Sequence, residues 1–211
     1  MSGSFIDSYL TQLRDRSAED FIKINYLLRH LNLDETIKGR YSILFLCQIY
    51  ERYSSGRLDI ELFQNEILYL EGLISTSETK KPTQFKDPPL RGLWHKHYYS
   101  GTIKCIATNA LNSFRKYGVP FLKNQINKEK LISITDINSI VEDITTNNPN
   151  RRRENSQATG DWIVFARVNG ENYYLCLADH PENGREDDNR IMNGIEGCFH
   201  QFPFIKKELG L

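Results

Sequence analysis

The side chains best suited to chemistry in this sequence are concentrated between Arg91 and Tyr99. Two of the five histidines of the chain, His95 and His97, lie here, separated by one lysine. Histidine titrates near pH 6.5 and can both accept and donate a proton at neutral pH. Cleavage of RNA without a metal needs two such proton transfers, cations beside the phosphate and aromatic rings on which bases stack. The candidate catalytic residues are Arg91, His95, Lys96 and His97, and the candidate substrate-binding residues are Trp94, Tyr98 and Tyr99.

A third histidine, His180, follows Asp179 directly after a predicted strand. The ends of strands often carry functional residues. His180 is therefore a candidate second acid–base partner for His95 or His97, and an ordinary loop histidine is the alternative interpretation.

The spacing of His95 and His97 also bears on metal binding. An H-x-H pair shares a face on a strand, but on a helix residues two apart point about 200° from one another. We interpret the segment as helical, so no metal ligand and no cofactor is predicted. A metal-dependent hydrolase that uses His95, His97, Asp179 and His180 remains an alternative hypothesis. The four cysteines lack the spacing of a zinc site.

The element expected to position these residues is one long helix over residues 88–117. Asp87 is a suitable N-cap, a proline occupies the first helical position, and Gly118 follows the end. Apolar residues recur along it with a period close to 3.6. On such a helix His97 belongs to the buried face.

A β-hairpin over residues 162–178 is the second positioning element. The Asn169–Gly170 dipeptide between two apolar, β-prone runs indicates a two-residue type I′ turn. The predicted pairs are Val168 with Glu171, Ala166 with Tyr173, Val164 with Leu175 and Trp162 with Leu177. Both faces are largely apolar, so we expect cover on two sides, with helix 88–117 as one cover.

The rest of the chain is expected to be mostly helical. Residues 1–78 form a predicted helical platform with N-caps at Ser17 and Asp59, and residues 75–87 form a polar linker or an exposed loop. The predicted fold class is α+β, predominantly α-helical, with a helical bundle packed on a small antiparallel sheet. The predicted domains are 1–78 and 86–211, or one continuous domain.

A polar break occurs at residues 147–160, with three consecutive arginines at its centre. We expect a mobile loop there. Arg151, Arg152 and Arg153 are either solvated charges or an arm that contacts the phosphates of a substrate.

Composition limits the class of protein. The formal net charge is zero, so binding of nucleic acid would need a local basic patch. No signal peptide and no long apolar run is present, and the scattered cysteines are typical of a reducing compartment, which predicts a soluble, cytoplasmic protein without membrane contact. Walker, GxGxxG, HExxH and GxSxG motifs are absent, which disfavours nucleotide-cofactor enzymes and serine hydrolases.

A helix rich in His and Lys, followed by the segment TGDWIVFARVNGENYYLCL, resembles the arrangement of small bacterial ribonuclease toxins of the barnase–EndoU–colicin–RelE type over residues 88–200. The resemblance implies a helix packed on an antiparallel sheet and metal-free cleavage of RNA. The leading hypothesis is thus a metal-independent ribonuclease of bacterial toxin or defence type, with helices 1–78 as a surface for a protein partner such as an antitoxin. The alternatives are a non-enzymatic immunity, regulatory or phage inhibitor protein and the metal-dependent hydrolase.

Overall fold

The chain folds into helices around a small antiparallel sheet, which confirms the predicted α+β class. The structure, a computed structural model, describes residues 3–125, 132–181 and 184–210. Helices account for 59% of the structure. The first helices are α1 Gly3–Arg16, α2 Ala18–Leu31, α3 Leu33–Thr36, α4 Ile43–Ser54 and α5 Ile60–Leu70. The later helices are α6 Ile103–Tyr117, α7 Pro120–Gln125, α8 Ile134–Glu142, α9 Asn148–Glu154, α10 Arg185–Glu196 and α11 Pro203–Leu209, with a π-helical turn Asp143–Asn147 and a 3₁₀ turn Gly197–His200.

Four strands form the sheet in the described residues, in the order β1-β2-β3-β4 and all antiparallel. They are β1 Thr83–Gln84, β2 Trp94–Tyr98, β3 Asp161–Val168 and β4 Glu171–Ala178. The hairpin β3–β4 and its Asn169–Gly170 turn confirm the prediction, and both turn residues have positive φ as a type I′ turn requires.

The predicted hairpin register is correct only near the turn. Val168 pairs with Glu171 and Ala166 with Tyr173, as expected, but a β-bulge follows between Val164 and Phe165. Beyond it Val164 pairs with Cys176 and Trp162 with Ala178. A bulge inserts one extra residue into one strand and exchanges the faces of all residues beyond it. Leu175 and Cys176 therefore point to the same side.

The predicted helix 88–117 is wrong in its first half. Residues 94–98 pair with β3 as a central strand, and the helix begins only at Ile103, with the Thr102 side chain accepting the N–H of Cys105. Gly92 and Gly101 have φ angles of 89° and 68°. These positive angles lie outside the right-handed helical region and end any helix on either side of β2.

Each face of the sheet has its own apolar cover, and helix α6 supplies neither. Helices α1 to α5 cover one face and share a core with Phe165 and Tyr174 of the sheet. The C-terminal segment 195–209 and the 90–93 loop cover the other face, around Val164 and Cys176. Residues 1–78 and the sheet thus bury one common core.

The segment 147–160 is not the mobile loop expected from its polarity. It contains helix α9, with Pro149 in the first turn, and Arg152 on this helix is buried. Helix α9 packs against α6. Buried polar contacts, which a hydropathy pattern does not register, stabilise this packing.

A buried ion pair fastens β2 to the helical layer. Lys96 is fully buried, and its Nζ lies 2.6 Å from Oε2 of Glu66 on α5. The ammonium also donates to Ser77 Oγ at 2.8 Å and to Thr79 Oγ1. Burial lowers the pKa of Lys96, and the adjacent Glu66 carboxylate opposes this effect. With three acceptors for three N–H groups, the ammonium is fully hydrogen-bonded.

Neutralising one partner of this pair should destabilise the fold. Glu66→Gln leaves the Lys96 charge buried without a counter-ion, and we expect a loss of about 3–5 kcal/mol in the free energy of unfolding. Replacing both partners, Glu66→Leu with Lys96→Met, should cost less than the sum of the single changes. Urea denaturation at neutral pH measures both values. Glu61→Gln, an exposed change on the same helix, is the control, and an equal loss in the two glutamine variants would contradict the prediction.

Candidate functional site

Strand β2 places His95 and His97 on the same face of the sheet. Successive side chains alternate along a strand, so Trp94, Lys96 and Tyr98 point to the opposite face. The ring centroids of His95 and His97 are 5.6 Å apart. The helical geometry that we expected, with the two imidazoles facing different ways, is therefore wrong.

His180 joins the two strand histidines. It follows β4, and its ring stacks on that of His97 with centroids 5.6 Å apart and an interplanar angle of 25°. Its backbone N–H donates to Oδ1 of Asp161 at 3.1 Å, which fixes the chain just past the strand. The expectation that the hairpin brings His180 to the other two histidines is met, although through strand pairing rather than helix packing.

Two further aromatic rings complete this group, which we call the histidine cluster (Phe85, His95, His97, Trp162 and His180). Trp162 stacks on His95 at 4.3 Å and lies 5.8 Å from His180. Phe85 lies 4.7 Å from His95. Nδ1 of His95 and Nε1 of Trp162 are buried and have no hydrogen-bond partner among the described residues. Buried polar atoms of this kind are uncommon and often mark functional sites.

Backbone carbonyls set the orientation of two of the imidazoles. Nδ1 of His97 lies 3.0 Å from the Gly160 carbonyl, and Nδ1 of His180 lies 3.1 Å from the Pro181 carbonyl. The Gly160 N–H also approaches Nδ1 of His97, at the longer distance of 3.3 Å. Because a carbonyl only accepts, the shorter contact of each ring favours the tautomer with the proton on Nδ1 and a lone pair on Nε2. Gly160 can approach this closely because it lacks a side chain; a Cβ there would overlap the carbonyl oxygen of Tyr98.

The strand histidines are neutral at physiological pH. Burial lowers the pKa of His95 to about 4 and that of His97 to about 3, and the neighbouring charges of Lys80 and His180 act in the same direction. The hydrogen bond of His97 to Gly160 opposes the shift only in part. Both rings are therefore neutral without a ligand, and each can accept a proton.

A polar cavity of about 320 Å³ opens beside the cluster. Its polar lining residues are Gln48, Arg52, Lys104, Asp179, His180, Asp187 and Arg190. Arg52 is buried, and its guanidinium contacts Asp161 at 3.0 Å and Asp179 at 2.9 Å. This arrangement joins β3, β4 and α4 at the cavity wall and leaves His180 at its edge.

Several predicted site residues lie elsewhere. Lys96 and Tyr98 are buried on the opposite face. There the hydroxyl of Tyr98 accepts a hydrogen bond from the guanidinium of Arg52 at 2.7 Å. Trp94, also on that face, is covered by the guanidinium of Arg167 at 4.2 Å. Arg91 is exposed and donates to the Lys86 carbonyl.

The remaining candidates are also outside the histidine cluster. Tyr99 lies beside Arg153, whose guanidinium forms an ion pair with Glu78 at 2.7 Å. Arg151 donates to Asn148 on its own helix. Arg152 is buried, so the three arginines do not form one phosphate-contacting arm.

The sequence analysis missed Lys80 and Trp162 as site residues. Lys80 was assigned to a linker, and Trp162 to the apolar core. The one available signal for Trp162 was its place at the first position of the predicted hairpin, across from the strand end that precedes Asp179 and His180.

The hypothesis of a metal-dependent hydrolase gains no support from this geometry. No group of three or more His, Cys, Asp or Glu side chains in the described part of the chain is arranged to hold a metal ion. The His97 and His180 rings stack face to face, and their Nδ1 atoms are occupied by carbonyls.

Comparison of the chain with protein-family models, with curated proteins and with solved structures gave no match in any of the three. Among the described residues, no helix combines the length and apolar character needed to cross a lipid bilayer. The chemistry of the histidine cluster is therefore the basis on which a function can be inferred.

The lowered pKa values predict loss of stability in acid. An unfolded histidine titrates near 6.5, so between that pH and the folded values of about 4 and 3 the unfolded chain binds more protons. The stabilisation is complete above pH 6.5 and is lost as the pH falls through this range; each ring should contribute about 2 kcal/mol to the decrease between pH 7 and pH 5. Urea denaturation at pH 7 and at pH 5 measures this difference in the free energy of unfolding.

The variants His95→Gln and His97→Gln isolate this effect. Each should reduce the difference in unfolding free energy between pH 7 and pH 5 by about 2 kcal/mol, because glutamine does not titrate. His200→Gln, a change at an exposed histidine, should leave the difference unchanged. An unaltered difference in both cluster variants would show that these rings are not held neutral by burial.

Proposed function

We propose that the protein cleaves RNA without a metal ion, by general acid–base chemistry at His97 and His180. The observation that carries the proposal is the convergence of three imidazoles beside a polar cavity, with centroids 5.6 Å apart in each neighbouring pair. Cleavage through the 2′-hydroxyl needs one group to remove its proton and another to protonate the leaving 5′-oxygen. Two imidazoles at this separation suit both transfers around one phosphate.

The carbonyl contacts support a division of roles between the two rings. Because Nδ1 of each is held by a backbone carbonyl, Nε2 is the atom available to substrate. We assign His97 as the base, since it is buried and neutral, and His180 as the acid, since it lines the cavity. His95 stacks beside them and stabilises the arrangement.

The low pKa of His97 constrains this mechanism. A base with a pKa of about 3 accepts a proton poorly at neutral pH. A phosphate anion placed beside the ring raises its pKa, because an opposite charge favours the protonated form. The substrate itself would then bring His97 into the range in which it accepts the 2′-hydroxyl proton. His97 should accordingly act as a base only when a phosphodiester is bound beside it.

The biological setting that we favour is a toxin or defence ribonuclease with RNA as its target. This part of the proposal follows the resemblance in residue types and arrangement between residues 88 and 200. Expression of the wild-type protein should then arrest growth of a bacterial host, and the His180→Gln variant should not.

Cleavage of a labelled RNA by the purified protein in the presence of EDTA tests the proposal. The expected products end in a 2′,3′-cyclic phosphate, and a DNA of the same sequence should remain intact because it lacks the attacking hydroxyl. His180→Gln and His97→Gln should each lower the rate by about 10²–10⁴-fold, the usual contribution of a general acid or base. His200→Gln is the matched control and should cleave at the wild-type rate.

Other outcomes discriminate between the hypotheses. Activity that EDTA abolishes and zinc or manganese restores would favour the metal-dependent hydrolase. If the folded wild type and the folded histidine variants all fail to cleave a range of RNAs, the ribonuclease is ruled out and a non-enzymatic binding protein is favoured.

A further inference from the structure

Two cations, Lys80 and Arg152, lie near the histidine cluster and do not line the cavity. Lys80 follows Thr79, which bridges to Ala158, and its backbone N–H donates to the Ala158 carbonyl at 3.2 Å. The Lys80 side chain is exposed. The side chain of the preceding Thr79 contacts Glu66 and Lys96, so alternation directs Lys80 to the other face of the sheet, which carries the imidazoles. The charge of Lys80 accordingly lowers the pKa of His95 and His97.

The second cation, Arg152, lies beneath the same segment. Its side chain is buried, and its guanidinium donates to the Gln157 carbonyl and to Oδ1 of Asn109. Asn109 Oδ1 also accepts the backbone N–H of Thr159 at 3.0 Å. The Thr159 hydroxyl lies 3.3 Å from Nδ1 of His97. A chain of hydrogen bonds thus connects the buried guanidinium to the imidazole.

Neither cation contacts a carboxylate within the described residues. Two other buried cations do, since Lys96 contacts Glu66 and Arg52 contacts Asp161 and Asp179, and the half-buried Arg40 contacts Glu71. Among the described residues, Arg152 has only uncharged acceptors. The charges of Lys80 and Arg152 act on one another. A buried charge without a counter-ion is costly, since its desolvation is not offset by pairing.

We infer that Lys80, Arg152 and the adjoining edge of the histidine cluster form an anion site that takes a backbone phosphodiester of nucleic acid. The absence of described carboxylates leaves two positive charges to be neutralised by a ligand, and a phosphate has the required charge and acceptor oxygens. Lys80 contacts the phosphate directly. Arg152 is a positioning residue, which holds the Thr159 segment beside His97 through Asn109. The identity of the anion as a phosphodiester depends on the ribonuclease proposed above, whereas the site itself does not.

Binding of a short DNA oligonucleotide tests this inference. DNA supplies phosphodiesters but lacks the 2′-hydroxyl, so binding is measured without cleavage, by titration calorimetry on the full chain at several salt concentrations. Lys80→Ala should weaken binding about tenfold and lower the slope of log affinity against log salt by about one. Lys81→Ala removes the same charge from the neighbouring exposed position and should change affinity by no more than about twofold.

Two further variants strengthen the test. Lys80→Arg keeps the charge and should bind within about threefold of the wild type. Arg152→Met should also weaken binding, with circular dichroism used to verify that the variant is folded; if it does not fold, the Lys80 and Lys81 comparison still decides. Inorganic phosphate, titrated separately, should compete with the oligonucleotide for the wild type and not for Lys80→Ala.

The outcomes separate this site from the ribonuclease. Oligonucleotide binding that depends on Lys80, without any cleavage of RNA, would keep the anion site and overturn the enzyme. Normal cleavage by Lys80→Ala would overturn the anion site and keep the enzyme. Equal effects of the Lys80 and Lys81 changes, or no binding by the wild type, would also overturn the inference.

Discussion

The buried contact between Lys96 and Glu66 determines which way the histidines point. A strand alternates its side chains, so a lysine held 2.6 Å from a carboxylate of α5 directs its two neighbours, His95 and His97, to the other face. A slip of β2 by one residue would bury two imidazoles among the apolar side chains under α4 and α5 and remove the ammonium from its three acceptors. The register of β2, and with it the histidine cluster, is therefore specified by an electrostatic contact far from the cavity.

Local chemistry explains which parts of the fold the sequence predicts well. The Asn169–Gly170 turn and the N-caps at Ser17 and Asp59 depend on residues within a few positions of one another, and all three are confirmed. Strand β2 was mistaken for helix because its apolar spacing fits both periods. Its identity arises from pairing with β3, more than sixty residues later in the chain. The bulge near Val164 likewise cannot be predicted from the sequence, because the residues on both sides of it are apolar.

The site was predictable by residue type but not by geometry. His95, His97 and His180, which are candidates by residue type, do lie together in the structure. The cationic and aromatic candidates around them were chosen by proximity in sequence, and alternation sends Lys96, Tyr98 and Trp94 to the far face. Lys80 is brought beside residues 158–160 by the bridge between residues 79 and 158, which are far apart in the sequence. No local pattern reports such a contact.

A purely structural explanation of the histidine cluster has to account for its polar atoms. Stacked imidazoles and tryptophan do bury apolar area, but phenylalanine would do so without the desolvation that lowers the pKa of His97 to about 3. Nδ1 of His95 and Nε1 of Trp162 lack partners in the described chain, and each such atom typically costs about 1–3 kcal/mol. Lys80 and Arg152 add positive charge beside them, with no carboxylate partner in the part of the chain that the structure describes. Elsewhere the fold pairs its buried cations with carboxylates, but here it keeps imidazoles, an indole and two cations together. An anionic ligand with several acceptor oxygens would bind the cations and the hydrogen-bond donors at once. Function therefore explains the histidine cluster better than packing does.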